Sequence, residues 1–143
     1  MLTEIRQVLS KTAREIVNTG GPILIVEDND DDQLLLWREV KFLFGDVPVQ
    51  TFTDGLQLLD YLKKKAGEGE GAATPRLILL DLYMPKMDGF KTLDRLAADP
   101  ATAGIPVVVI SGTRSDDEME KARQHGAHAF LSKPFSRDQW VFF

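Results

Sequence analysis

Cysteine is absent from the 143 residues, which excludes disulfides and thiolate metal sites and fits a cytoplasmic setting. An excess of positive charge is lacking too. The formal net charge is −5, so most of the surface would repel a nucleic-acid backbone and nucleic-acid binding is not expected. No apolar run approaches the ~20 residues that cross a bilayer, so no membrane association is expected. The N-terminal stretch MLTEIRQVLSKTAREIV has neither the apolar core nor the small-residue cleavage site of a secretion signal. Histidine is scarce: His125 and His128 are the only two, and both read as structural or surface side chains. What remains is an ordinary globular composition, 43% hydrophobic and 27% charged, in a chain long enough for one domain with a buried core.

From Pro22 onward, short apolar runs alternate with amphipathic stretches. The runs at 23–26, 77–80 and 105–110 are continuous, the pattern of parallel strands buried on both faces. In the run at 47–52, Val49 and Thr51, and then Thr53, alternate with polar or aromatic neighbours, which suits an edge strand. Residues 129–131 supply a fifth run. Helical patterns lie between them, carried by Leu34, Leu35, Val40, Leu43 and Phe44, then by Leu58, Leu59 and Leu62. Phe90, Leu93, Leu96 and Ala97 carry the third, and Met119 and Ala122 the fourth. His125-Gly126 reads as a helix end with its glycine just beyond. Ser136 to Gln139 has capping-box spacing and predicts a last, short helix over 136–143.

The expected class is therefore α/β, a doubly wound (βα)5 unit with a parallel sheet covered on both faces. Right-handed crossovers leave the strand order 2-1-3-4-5 as the natural solution. In such a sheet the functional crevice lies at the carboxyl ends of strands 1 and 3, where the order reverses. Residues 1–20 stand apart as an amphipathic helical extension, with Leu2, Ile5, Leu9, Ala13 and Ile16 on one stripe. Gly20-Gly21-Pro22 ends that stretch, and residues 21–143 form the domain proper. Gly67-Glu68-Gly69-Glu70-Gly71 reads as a flexible acidic loop. It precedes a strand rather than a helix, and its glutamates repel anions, so it is no phosphate loop.

The chemistry-bearing residues fall at the strand ends. Glu27 and Asp28 follow strand 1, and Asp81 follows strand 3. Three carboxylates gathered at one crevice repel one another and raise one another's pKa. A divalent cation relieves that cost, and an all-oxygen donor set points to Mg²⁺, with Mn²⁺ the alternative. Ser111 follows strand 4 and Lys133 follows strand 5, on the same rim. Any one of these alone is a helix cap or a solvated charge. Together they supply a nucleophile, a metal site, a cation and a hydroxyl, the parts of a phosphoryl-transfer site.

At these residues the sequence resembles the response-regulator receiver family. The matching strings are ILIVEDND (23–30), LILLDLYMPKMDGF (77–90), VVVISG (107–112) and AHAFLSKPF (127–135), in the family's order and spacing. The resemblance covers about residues 22–137 and implies a flavodoxin-like receiver fold. It implies that Asp81 accepts a phosphoryl group from a sensor histidine kinase or a histidine phosphotransfer protein. Asp28 would ligate Mg²⁺, with Glu27 beside it, the Asp81 carboxylate, and the main-chain carbonyl of Tyr83. Lys133 would pair with Asp81 and then with its phosphate, aimed by a cis Lys133-Pro134 bond. Ser111 would be the switch hydroxyl and Phe130 the switch aromatic. Tyr83 and Thr113, each two residues past a site residue, would tune hydrolysis of the acyl phosphate. Met84, Pro85, Met87 and Gly89 would shape the loop after strand 3, and Asp30, Asp31 and Asp32 would charge the start of the first helix.

The ends depart from the family. The apolar finish Trp140-Val141-Phe142-Phe143 is more than a short last helix can bury, and an exposed apolar end marks an interface. With Leu2, Ile5 and Leu9 these side chains suggest a homodimer; packing of the N-terminal helix within the chain is the alternative. No output domain is expected after Phe143, so signalling to a downstream protein is expected to run through protein contacts rather than enzymatic turnover. Self-phosphorylation from a phosphodonor and self-dephosphorylation would be its only chemistry. A phosphatase using an aspartyl-phosphate nucleophile would want a second acid at position 83, where Tyr83 stands. A phosphate-independent interaction module would not need Asp28, Asp81, Ser111 and Lys133 together.

Overall fold

The computed structural model describes residues 21–68, 74–84, 87–112, 115–133 and 140–142, the last three and residue 43 by their backbone alone. The elements run β1 (Ile23–Val26), α1 (Asp30–Phe44), β2 (Val49–Phe52), α2 (Gly55–Gly67), β3 (Leu77–Asp81), α3 (Gly89–Ala98), β4 (Val107–Ser111), α4 (Asp116–Gln124), β5 (Ala129–Ser132) and β6 (Trp140–Phe142). The sheet order is β2-β1-β3-β4-β5-β6. The first five strands are parallel in the expected 2-1-3-4-5 order.

Alternation along each strand sorts the core into two layers. Leu24, Val26, Ile78, Leu80, Val107, Val109 and Phe130 face one way, where Leu58 of α2, Leu93 and Leu96 of α3 and Ala122 of α4 meet them. Ile23, Ile25, Leu77, Leu79, Val108, Ile110, Ala129 and Leu131 face the other, with Leu36 and Val40 of α1. Each residue of β1, β3, β4 and β5 is buried. In contrast, β2 keeps Gln50 and Thr51 exposed, as its edge position requires.

The helices begin where side chains can cap them. Asn29, Asp54, Asp88 and Ser115 each accept a hydrogen bond from a first-turn N–H. At the C-terminal end of α4, Gly126 takes φ +101°, a conformation that favours glycine, as His125-Gly126 foretold.

One expectation fails. Residues 140–142 belong to a strand, not to a helix: β6 pairs antiparallel with β5, setting Leu131 opposite Trp140 and Ala129 opposite Phe142. Tryptophan, valine and phenylalanine all favour a pleated surface, and β6 occupies an edge that β5 would otherwise leave unpaired. The Ser136 to Gln139 capping box, Phe143 and the extension carrying Leu2, Ile5 and Leu9 lie outside the described residues. Strand limits also shift slightly. The second strand starts at Val49 and the fourth at Val107, because Ile105 closes a turn onto the Thr102 carbonyl at 3.0 Å.

Candidate functional site

Parallel strands end on a common rim, so the residues just past β1, β3, β4 and β5 converge. Glu27, past β1, is fully buried. The start of α1 fixes it: Asn29 N–H donates to Glu27 Oε1 at 3.1 Å, and Gln33 Nε2 donates to the Glu27 carbonyl at 3.2 Å. Asp28 beside it is exposed. Asp81, the last residue of β3, is 3% exposed, and its Oδ1 accepts the Tyr83 N–H at 3.1 Å. The carboxylates of Glu27, Asp28 and Asp81 each offer an oxygen within 4.8 Å of the others.

The loop after β3 must fold back tightly for this to happen. Gly89 N–H donates to the Leu82 carbonyl at 2.8 Å. A Cβ on Gly89 would stand 2.6 Å from Leu82 Cα and 2.9 Å from the Asp81 carbonyl oxygen, so no larger residue fits without moving the backbone that carries Asp81.

Lys133 enters from β5, its N–H bonded to the Ser111 carbonyl at 2.8 Å. Its Nζ lies 2.8 Å from Asp32 Oδ2, 3.2 Å from Glu27 Oε2 and 3.3 Å from Asp81 Oδ2. One ammonium against three carboxylates leaves the crevice acidic. Burial first, and then the Asp81 charge, push the Glu27 carboxyl up to about 8, although the Asn29 N–H and Lys133 pull the other way. For Lys133, burial opposes the charged form, but the bond to Asp32 and the charges of Asp81 and Glu27 outweigh it and raise the pKa.

These donors suit a hard divalent cation. All are oxygens, their charge exceeds what Lys133 supplies, and the buried Glu27 Oε2 has no hydrogen bond, its approach to Nζ being an ion-pair contact only.

The β4 side of the rim is arranged differently. Ser111 is fully buried, and its hydroxyl donates to Glu118 Oε1 on α4. The second Glu118 oxygen accepts the Tyr83 phenol at 2.5 Å. That bond, helped by burial and by the Glu118 and Asp88 charges, raises the phenol's pKa. Phe130, in β5, is completely buried.

The model of the response regulator receiver domain family matches residues 23–141. The chain belongs to that family. Its function is that of a response regulator in a two-component phosphorelay, and receivers of this kind are signalling modules rather than turnover enzymes. The receiver is 37% identical over 114 residues to the probable methanogenesis regulatory protein FilR2 of Methanothrix harundinacea, spanning 80% of this chain and 72% of that one. It is 33% identical over 116 residues to response regulator Rcp1 of Synechocystis sp., covering 81% and 78% of the two chains. The Mn²⁺-bound form of Rcp1 superposes with a TM-score of 0.69 over 82% of this chain and 84% of that one, at 31% identity. The phosphorylated cyanobacterial phytochrome response regulator RcpA gives 0.68 over 83% of each chain, at 33% identity. A bound manganese in a relative agrees with the acidic cluster of this receiver as a divalent-metal site.

Of the residues singled out in the sequence, Glu27, Asp28, Asp81 and Lys133 meet in the crevice of the receiver. Ser111 reaches the rim with its hydroxyl bound to Glu118, and Tyr83, whose N–H binds Asp81, is 58% exposed. Thr113 and Pro134 lie outside the described residues. The histidines make structural contacts: His125 pairs with Asp94 at 2.5 Å, and His128 Nδ1 accepts the Val107 N–H at 3.1 Å. Two contributors were missed. Asp32, read only as helix-start charge, is the carboxylate nearest Lys133; its place in the first turn after β1 was the available signal. Glu118 had a signal of its own, the Ser115 to Glu118 capping-box spacing, but nothing in that spacing reveals its bonds to Ser111 and Tyr83.

Proposed function

We propose that Asp81 is the phosphoacceptor of this receiver. The observation that carries the reading is the meeting of the buried Asp81 carboxylate with Glu27 and Asp28 on one side and Lys133 Nζ, 3.3 Å away, on the other. Glu27, Asp28, Asp81 and the Tyr83 carbonyl would hold Mg²⁺, or Mn²⁺. When bound, the ion offsets the negative charge of the carboxylates and of the incoming phosphoryl group. An Asp81 oxygen attacks phosphorus in line, the bond to the donor's imidazole nitrogen breaks, and the electron pair leaves with the imidazole. Lys133 gives up part of its contact with Asp81 and pairs with the new phosphoryl oxygens. The acyl phosphate adds roughly two negative charges. The Ser111 hydroxyl turns toward it, and Phe130 shifts with Ser111, which changes the face built from α4 and β5. Both arrangements pre-exist and phosphorylation shifts their populations.

The phosphoryl donor is a histidine kinase or a histidine phosphotransfer protein, and the output is a contact with a downstream protein, in the cytoplasm. Among the described residues no helix is long and apolar enough to cross a membrane. Residues 21–143 form the receiver and residues 1–20 an extension whose apolar stripe, with Trp140, Phe142 and Phe143, joins two copies. A second arrangement has an observation in its favour. Val108, Ile110, Ala129 and Leu131 are buried on the sheet face where α1 is the only described helix, and an apolar stripe from the same chain would cover them.

The test is incubation with a small acyl phosphate and Mg²⁺, read by intact mass and by oligomer size. Wild type gains one phosphoryl group with Mg²⁺ and none when chelator replaces the metal; Asp81→Asn gains none. An adduct of equal yield on Asp81→Asn refutes the assignment.

A further inference from the structure

Glu118 belongs to none of the parts named above, yet it holds two of them. Its position is set by the start of α4, where Ser115 Oγ accepts the Glu118 N–H at 3.1 Å. From there one carboxylate oxygen accepts the Ser111 hydroxyl and the other accepts the Tyr83 phenol. The carboxylate therefore ties the loop after β3 to the end of β4, directly beside the Asp81 crevice. Both bonds have an ionised acceptor and belong to the stronger class of hydrogen bond.

A serine hydroxyl has one proton to donate. While Ser111 donates to Glu118, it cannot donate to a phosphoryl oxygen on Asp81. We propose that Glu118 is a positioning residue, an acidic latch that competes with the phosphoryl group for the Ser111 hydroxyl and fixes Tyr83 across the mouth of the site in the resting state. The inference rests on Asp81 being the phosphoacceptor. It makes the carboxylate of Glu118 an internal stand-in for phosphate: an anionic oxygen acceptor occupying the same donor. Phosphorylation brings a more highly charged acceptor to Asp81, at the end of the strand that neighbours the one ending in Ser111. The serine changes partner, and Tyr83 is left as the only one of the two hydroxyls still bound to Glu118.

The capping box offers a purely structural account, in which Glu118 merely helps start α4. The two accounts part on a readout that helix stability does not move. Beryllofluoride with Mg²⁺ serves as the probe of the phosphorylated state. Loss of one charge-assisted bond from the competing state predicts that Glu118→Ala binds beryllofluoride about tenfold more tightly than wild type. Glu118→Gln, which keeps a carbonyl acceptor, falls between the two. An Ala variant with wild-type affinity, or a weaker one, overturns the latch. A second measurement needs no phosphate. In a stability cycle on the metal-free protein, Ser111→Ala and Glu118→Ala are non-additive, the double variant being no less stable than the weaker single one. Strict additivity overturns the latch. A wild type that takes no label and binds no beryllofluoride while the cycle stays coupled overturns the phosphoacceptor reading, and the competition with it.

Discussion

The two halves of the rim are built on opposite terms. On the β1 and β3 side the groups are assembled and held: Glu27 is locked by Asn29 and Gln33, Asp81 by the Tyr83 N–H, and Lys133 spans Asp32, Glu27 and Asp81. On the β4 and α4 side the groups are engaged elsewhere: the Ser111 hydroxyl and the Tyr83 phenol both donate to Glu118. The first half carries like charges that an ordinary core would not keep, and that stored cost is what a bound divalent cation would relieve. The second half is satisfied at rest and must give something up to respond. A receiver needs both, one half poised to react and one half free to change partners.

Removing the proposed phosphoacceptor breaks the comparison most severely. Asp81→Asn abolishes labelling altogether, and because the Asp81 charge helps raise Glu27, the Glu27 carboxyl drops toward its ordinary range, which carbon-detected NMR of the carboxyl reads. Next in size is Lys133→Met. It strips the only cation in contact with Asp32, Glu27 and Asp81 among the described residues. Labelling by a small acyl phosphate slows about 10²-fold, the scale of losing one preorganised charge-stabilising group, as timed by intact mass.

Phe130→Ala tests the other half, because the ring is wholly inside the core. Denaturant unfolding should show about 3–5 kcal/mol lost, the usual cost of removing a buried aromatic ring.

Acidity separates the halves more gently. Burial, and then the charge of Asp81, push the Glu27 carboxyl up to about 8, well above the usual carboxylate range. A pKa raised on folding contributes stability that is complete below the unfolded value and lost as pH rises through about 8. The metal-free receiver is thus less stable at pH 8 than at pH 5, so far as this group decides. If Glu27 is a ligand, as proposed, cation affinity runs the other way, because binding displaces its proton: affinity rises up to about tenfold per pH unit below pH 8 and then levels. Calorimetric Mg²⁺ titrations across that window check the slope, and Glu27→Gln flattens it. Smallest is Tyr83→Asn. The phenol is 58% exposed and donates to Glu118, so the fold stays intact while the acyl-phosphate lifetime changes a few-fold, about the effect of one hydrogen bond.

Much of this architecture was legible because burial and strand ends leave marks in a sequence. The two-sided apolar runs at 23–26, 77–80 and 105–110 mark the central strands, and the order follows from handedness. Asp28, Asp81 and Lys133 could be placed together because parallel strands end on one rim. The C-terminal strand is the exception, because the capping-box spacing at 136–139 points to a helix while the β-forming character of Trp140, Val141 and Phe142 points to the strand that pairs antiparallel with β5. Glu118 escaped for a related reason. A helix-start glutamate is common, and only tertiary structure brings it to Ser111 and Tyr83.

The central claim is that carboxylates from two strand ends share a cation and leave Asp81 as the acceptor. Peptide-level mapping of the label, with Mg²⁺ and with chelator, tests it most directly. The account predicts one metal-dependent adduct confined to Asp81. An adduct on any other residue, or one on Asp81 that forms equally well without divalent metal, would contradict it.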